Sequence, residues 1–274
     1  MVRYDYGESM KIKFFDDNLV GQNALSRYLD HDLGWYRNIE NYDIGIYTDQ
    51  RCFNSSIDSS KINYAWIIEP PIINGENYIN ICKNYDQFKY VFSYNTGLAD
   101  KIPNFKFVPH GGTWLMHDDM QLYTKTKLIS YIFSNKDWNP YHRMRHRAYN
   151  ELQNNSNIDF YGSGCGNPID FKITGLQDYM FSIVIENSIE NDYFTEKILD
   201  CFLSGTIPIY CGTKNITKYF DSDGIIMFDG SEDLPSIIQL LNSNFYEDKI
   251  IAITNNFHKA QQYIFPEKII HELL

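Results

Sequence analysis

The densest chemistry in this sequence lies in Glu186-Asn187-Ser188-Ile189-Glu190-Asn191-Asp192-Tyr193-Phe194-Thr195-Glu196-Lys197. These carboxylates, amides, hydroxyls and one cation follow an apolar run at 181–185 and lead into a helical pattern at about 194–204. A strand that passes into a helix here aims the helix's first unpaired N–H groups outward. Such groups hold an anion, most commonly a diphosphate. Lys197 then stands in the first turn, where the helix dipole disfavours a cation. A negatively charged partner such as a phosphate accounts for it. Snorkelling, or pairing with Glu190 or Asp200, accounts for it equally well, and the residues alone leave both open.

A second cluster, Tyr141-His142-Arg143-Met144-Arg145-His146-Arg147, packs three arginines and two histidines into seven residues. It reverses the charge of an acidic chain at the head of a helix that follows the apolar run 128–133. The planar donor fork of arginine suits phosphate oxygens. At helical spacing Arg143 and Arg147 share a face while Arg145 points elsewhere, so one ligand does not meet all three. A solvated basic face is the plainer fate of any single one. In the first half, Glu69 ends an apolar run just before Pro70-Pro71; taken alone it reads as a loop carboxylate.

Other patterns carry less. Asp30-His31-Asp32 and Asp221-Ser222-Asp223 have the spacing of a metal-binding acidic triplet, but neither follows a clear buried strand, so no metal is expected. Gly162-Ser163-Gly164-Cys165-Gly166 lacks the last glycine of the dinucleotide fingerprint and has no helix directly after it, so it reads as a turn. His110-Gly111-Gly112 reads as a glycine-rich turn at the edge of a cleft.

Short apolar runs alternate with helical patterns along the chain, the signature of α/β layers. Strands are expected at 11–15, 43–47, 64–68, 90–93 and 105–109, with helices at about 23–33 and 78–88. The pattern restarts with strands at 128–133, 158–161, 181–185, 207–210 and 225–228. Helices are expected at 141–153, near 177, at 194–204 and in two stretches towards the end. Ile198, Leu199, Phe202 and Leu203 give the 194–204 helix one apolar face, and Gly205 stands where a terminating glycine belongs. Residues 116–126 form the best linker. The expectation is two Rossmann-like domains, 1–120 and 121–274, bracketing a cleft, with ligands beyond the carboxyl ends of the strands.

The 274 residues, 43% hydrophobic and 22% charged, suffice for a core in each half. With 24 Lys plus Arg against 35 Asp plus Glu, the net charge of −11 repels a phosphate backbone and argues against general nucleic-acid binding. No apolar run approaches the ~18 residues of a membrane span, and the N-terminus lacks a signal-peptide core. Five cysteines without CxxC spacing read as reduced thiols. A soluble, cytoplasmic protein is expected.

Three segments in order, Phe181-Ser-Ile-Val-Ile-Glu-Asn-Ser188, Asp192-Tyr-Phe-Thr-Glu-Lys-Ile-Leu199 and Ser204-Gly-Thr-Ile-Pro-Ile-Tyr-Cys-Gly212, resemble the signature of family 10 glycosyltransferases, the α1,3/4-fucosyltransferases. Upstream, Leu-Ile-Ser-Tyr-Ile-Phe-Ser-Asn135, Arg145-His-Arg-Ala-Tyr-Asn-Glu-Leu152 and Ile158-Asp-Phe-Tyr-Gly162 are similar to that family's blocks. Glu69-Pro-Pro resembles its Glu-Ser-Pro element, with Pro70 in place of serine. Tyr90-Val-Phe-Ser-Tyr94 and Phe107-Val-Pro109 match in order. The resemblance covers roughly 64–212 and is strongest in the second half.

It implies a GT-B architecture, with an N-terminal acceptor domain, a C-terminal domain for GDP-fucose and no essential metal. Arg145 and Lys197 would neutralise the diphosphate, and Asn187, Tyr193 and Glu196, with Glu186 beside them, would bind the donor. Glu69 would be the general base of an inverting transfer to a glycan hydroxyl, a step in glycan biosynthesis such as protein glycosylation. Pro70 stiffens the loop beside it and removes a hydroxyl and an N–H. Golgi-type relatives are type II membrane proteins, whereas this chain looks more like bacterial or viral members. Two other readings use the same residues: the same fold with another nucleotide-sugar donor, or a non-catalytic glycan- or nucleotide-binding protein.

Overall fold

Apolar runs without a polar interruption suit strands covered on both faces, and here they become the central strands of two parallel sheets. The structure, a computed structural model, describes residues 10–17, 25–29 and 33–274. The first sheet comprises β1 (Ile12–Phe15), β2 (Trp35–Tyr36), β3 (Ile44–Thr48), β4 (Ile62–Ile67), β5 (Tyr90–Ser93) and β6 (Phe105–Phe107), in the order β2-β1-β3-β4-β5-β6. Helices α1 (Arg51–Asn54) and α2 (Pro71–Asn84) interrupt it. The second sheet contains β7 (Lys127–Ile132), β8 (Ile158–Tyr161), β9 (Tyr179–Ile185), β10 (Ile207–Cys211) and β11 (Ile226–Met227), in the order β11-β10-β9-β7-β8. Helices α3 (Pro140–Leu152) and α4 (Glu196–Leu203) connect its strands, and α5 (Leu234–Leu240), α6 (Ser243–Glu247), α7 (Ile250–Ala260) and α8 (Pro266–His271) follow.

The period of two along each central strand divides its side chains between two cores. On β9, Phe181, Ile183 and Ile185 pack with Ala148 and Leu152 of α3, whereas Val184 packs with Ile198 and Phe202 of α4. A truncation such as Ile183→Ala at this fully packed position costs about 2–5 kcal/mol. On β4, Ala65 and Ile67 meet Ile81 of α2, while Tyr64 and Trp66 meet Ile270 of α8. The chain's last helix therefore returns to cover the first sheet.

Both sheets change direction of winding, the first between β1 and β3 and the second between β7 and β9. A crevice opens beyond the carboxyl ends of strands at such points. The stretch 108–126 carries the chain from one sheet to the other. At its start Gly111 takes a φ of 62° and bridges to Thr195, and a Cβ there would meet the Tyr263 carbonyl at 2.3 Å. Leu115, Met120 and Tyr123 pack against the core beneath α4. Among the described residues no helix is long and apolar enough to cross a membrane.

Several expected elements shift. The helix expected at 78–88 begins at Pro71, because proline is favoured at the first helical position, and it kinks at Asn74 (φ −145°, ψ 64°). The helix expected at 23–33 lies partly outside the described residues, and 25–28 form bends. The helix near 177 is a single 3₁₀ turn at Lys172–Gly175. Two short elements, β2 and α1, carry too few residues for a readable period, and the two expected C-terminal stretches are four helices. Gly205, at φ 72°, ends α4 as its position suggested.

Candidate active site

The helix α4 begins at an N-cap, Thr195, whose Oγ1 accepts the Lys197 amide at 3.3 Å. That threonine is itself held by Glu186, which accepts the Thr195 amide at 3.0 Å and its hydroxyl at 2.8 Å. Glu186 is wholly buried. The Lys197 ammonium folds back over the cap, 3.0 Å from Glu196 Oε1, 3.1 Å from Thr195 Oγ1 and 3.6 Å from Glu186 Oε2. Burial pushes the Glu196 carboxyl up, but Lys197, Lys172 and His110 outweigh it and hold the pKa down at about 2. Lys172 pairs with buried Asp200 at 2.8 Å and donates to the Glu196 carbonyl at 3.3 Å. Burial pushes its ammonium down, and Asp200 and Glu196 more than reverse this.

Arg145 reaches the same place from α3. Its Nε and Nη2 donate to the Ile185 carbonyl at 3.0 and 2.6 Å, and Nη2 to Asn187 Oδ1 at 2.9 Å. One guanidinium thus caps the carboxyl end of β9 with its fork, a geometry lysine cannot reproduce. His142 donates to the same Asn187 oxygen at 3.3 Å. Burial, and then Arg145, lower its pKa to about 4 and keep it neutral.

Glu69 lies across the cleft, beyond the end of β4. Its amide and that of Ile68 donate to Asp49 Oδ1 at 3.2 and 3.0 Å, and its carbonyl accepts the Tyr78 hydroxyl at 3.0 Å. The peptide is fixed at both ends, while the carboxylate has no cation paired with it among the described residues. Pro70 supplies no side-chain cap, but its carbonyl accepts the Ile73 and Asn74 amides and starts α2. Asp49 sits at a φ of 42°. Burial, with Glu69 adding to it, pushes its pKa up to about 7.

A cleft of about 780 Å³ joins these walls, and Glu69, His110, Arg145, Asn187, Glu196 and Lys197 all line it. Tyr193 lines it too, its ring against Tyr94 (4.9 Å) and edge-on to His110 (5.5 Å). Burial, and then the Glu186, Glu69 and Glu196 charges, push its phenol pKa up, so the hydroxyl keeps its proton. That hydroxyl is buried without a hydrogen-bond partner among the described residues.

Of the residues singled out in the sequence, Glu69, Arg145, Asn187, Tyr193, Glu196 and Lys197 converge on the cleft. Glu186 does not: it lies behind the wall and holds Thr195. Successive residues of an extended segment point to opposite sides, so Asn187 faces the cleft while its neighbour turns inward. Lys197 pairs with Glu196 and Glu186; Glu190 and Asp200 have other partners. Arg143 and Arg147 are exposed and Arg145 is buried, as helical spacing indicated. Gly162 and Ser163 line the cleft, as do His110 and Gly111. Asp30, His31 and Asp32 lie outside the described residues. Asp221 accepts the Asp223 amide in a local turn and does not line the cleft. Asp49, Lys172 and Trp114 also line it and carried no local motif.

Comparison with known proteins adds to this geometry. Residues 122–249 match the model of the "Glycosyltransferase family 10 (fucosyltransferase) C-term" domain. Residues 122–249 form a family 10 fucosyltransferase domain. Human 4-galactosyl-N-acetylglucosaminide 3-alpha-L-fucosyltransferase 9 is 36% identical over 140 residues, covering 50% of this chain and 38% of that protein. The chain thus matches well under half the length of this curated relative. A crystal structure of an alpha1,3-fucosyltransferase with GDP-fucose aligns over 99% of this chain and 94% of its own, at a TM-score of 0.57 and 18% identity. An alpha-glucosyltransferase in complex with UDP and a 13-mer DNA aligns over 97% and 98%, at a TM-score of 0.60 and 12% identity. These likenesses establish a GT-B fold, into which the family 10 domain fits as the second sheet and its helices. Arg145, Asn187, Tyr193, Glu196 and Lys197 all lie within the family 10 domain, whereas Glu69 lies outside it.

Proposed function

We propose that this chain is an inverting glycosyltransferase that moves fucose from GDP-fucose to a hydroxyl of a glycan acceptor. The observation that carries the reading is the confrontation, across one cleft, of an uncompensated carboxylate, Glu69, with the Arg145–Lys197 cations of a family 10 domain. Glu69 takes the acceptor hydroxyl proton as the new oxygen–carbon bond forms at the anomeric centre. The bond to the diphosphate breaks on the opposite face, and GDP leaves with the electron pair. Positioned general-base catalysis contributes about 10²–10⁴ in rate. Arg145 and Lys197 stabilise the charge that builds on the leaving phosphate, in the place a metal ion would otherwise fill. Asn187, clamped by Arg145 and His142, and Glu196, ionised throughout the neutral range, shape the donor pocket.

The test is calorimetric titration with GDP, UDP, CDP and ADP, each with and without EDTA, followed by transfer assays with GDP-fucose. A 4-galactosyl-N-acetylglucosaminide is the first acceptor to try, because the curated relative is named for one. Selective GDP binding that EDTA leaves unchanged, with fucosyl transfer, is the expected result. Selective binding of another nucleotide would keep the fold and replace the donor. Binding of none would leave a non-catalytic scaffold.

A further inference from the structure

The segment that joins the two sheets does not run free between them. Gly111 donates its amide to the Phe194 carbonyl at 3.3 Å, just before α4 begins. Further along that helix, the carboxylate of Asp200 takes hold of Thr113 and Trp114. Asp200 is wholly buried. The Thr113 hydroxyl donates to Oδ1 at 2.5 Å, and the Trp114 amide lies 3.2 Å from both oxygens. Lys172 completes the set, 2.8 Å from Oδ2, while donating to the Glu196 carbonyl at 3.3 Å. A carboxylate only accepts, and each of these three groups donates, so the directions agree throughout.

Thr113 is held as completely as Asp200. Its Oγ1 also accepts the Leu115 amide at 3.1 Å, its amide donates to Ser26 Oγ at 3.0 Å, and its carbonyl accepts the Arg27 amide at 2.8 Å. Ser26 in turn donates to the Ile264 carbonyl at 2.5 Å. Thr113, Ser26 and Asp200 do not line the cleft, whereas Arg27, Trp114 and Lys172 beside them do. Two other contacts between the halves, Asn95 to Glu190 at 3.1 Å and Thr96 to Asp192 at 3.3 Å, are single, partly buried hydrogen bonds. A fully satisfied network away from water is the stiffer connection.

We propose that Asp200 is a positioning residue: it fastens the segment between the sheets to α4 and so sets the Glu69 wall of the cleft against the Arg145–Lys197 wall. Its consequence for rate rests on the transferase reading given above; the fastening itself does not. Transfer needs acceptor, anomeric carbon and base in line at once. Walls that drift by a fraction of an ångström lose rate, while an intact donor wall still binds GDP.

The experiment cuts the bond from the segment's side, with Thr113→Val in the full chain. Replacing Asp200 itself would leave Lys172 buried without its counter-charge. Valine keeps the shape of threonine and removes only the hydroxyl. It is expected to lower kcat about tenfold, the worth of roughly one hydrogen bond, with GDP Kd and donor KM unchanged. Thr113→Ser keeps the hydroxyl and should restore kcat. Amide hydrogen exchange of 113–116 should quicken in the valine variant and not in the serine variant. A purely stabilising role would lower Tm yet leave kcat at the wild-type level well below the unfolding temperature. That result, or a loss of GDP affinity matching the loss of kcat, would overturn the proposal. If Thr113→Val proves unstable, Ser26→Ala loosens the same threonine through its amide, and the same split is expected. A wild-type chain that binds GDP but transfers no sugar would refute the transferase reading. Exchange of 113–116 then decides the fastening alone: quickening in the valine variant supports it, and no change overturns it.

Discussion

Replacing Lys197 by methionine keeps most of the apolar stem and removes the ammonium from a crowded place. Two of its three N–H donors are committed within the protein, to Glu196 Oε1 at 3.0 Å and Thr195 Oγ1 at 3.1 Å. The third is available to a ligand in the cleft. One charge-assisted hydrogen bond is worth about 1.5–3 kcal/mol, so GDP should bind Lys197→Met about 10- to 150-fold more weakly. The same change leaves Glu186, wholly buried, with only the donors of Thr195 among the described residues. Removing one partner of a buried pair costs up to ~5 kcal/mol. Because the Lys197 side chain is 23% exposed and Nζ is 3.6 Å from Glu186 Oε2, we expect about 2 kcal/mol. A pH signature accompanies it. The Glu196 pKa lies below its ordinary value, so its pairing stabilises the fold above pH 4.5 and is lost as the pH falls towards about 2. The gap between wild type and variant should therefore be full at pH 7 and narrower at pH 3.5. Calorimetric GDP titration at pH 7 and guanidinium unfolding at both pH values measure these effects. An unchanged GDP Kd would refute the diphosphate assignment, and a gap independent of pH would refute the account of the carboxylates.

Other substitutions separate the remaining roles. Glu69→Gln should lower turnover by about 10²–10⁴ while GDP titration gives an unchanged Kd; a large loss of GDP affinity would place Glu69 in the donor site instead. Arg145→Lys cannot make the forked contact with the Ile185 carbonyl and Asn187. It should lower Tm by about 2–6 °C and weaken GDP about tenfold, and wild-type values of both would show that the fork is dispensable. Glu267 is buried, its Oε2 has no partner among the described residues, and burial raises its pKa to about 7. Its neutral form is compatible with the fold at pH 4.5, and stability falls as the pH rises towards 7, by about 3 kcal/mol. Glu267→Gln should flatten the Tm between pH 5 and 8, with a residual slope from Asp49, whose pKa rises to about 7 in the same direction. A variant as pH-sensitive as the wild type would contradict this.

What the sequence determined by itself is what local chemistry dictates. The uninterrupted apolar run of β9, the one-sided apolar face of α4 and the terminating Gly205 lie within 27 residues of one another, from 179 to 205, whereas the Thr195 cap, placed inside the expected helix, came from the structure. The first three follow from periodicity or backbone conformation, so this wall of the cleft was largely legible before any tertiary contact was known. Helical spacing likewise separated Arg145 from Arg143 and Arg147. Contacts between distant segments belong to the tertiary structure alone. Asp49 holds Glu69 from 20 residues away, and Lys172 pairs with Asp200 from the far side of β9. Glu190 reaches Asn95 across 95 positions, and α8 returns to cover the sheet that begins the chain. Even Glu186 and Asn187, neighbours of similar polarity, were parted by the fold, one into the core and one into the cleft. A sequence pattern records which face of its own element a residue occupies; packing decides what that face meets. In a cleft built from two sheets, the partners that orient each site residue come mostly from elsewhere in the chain.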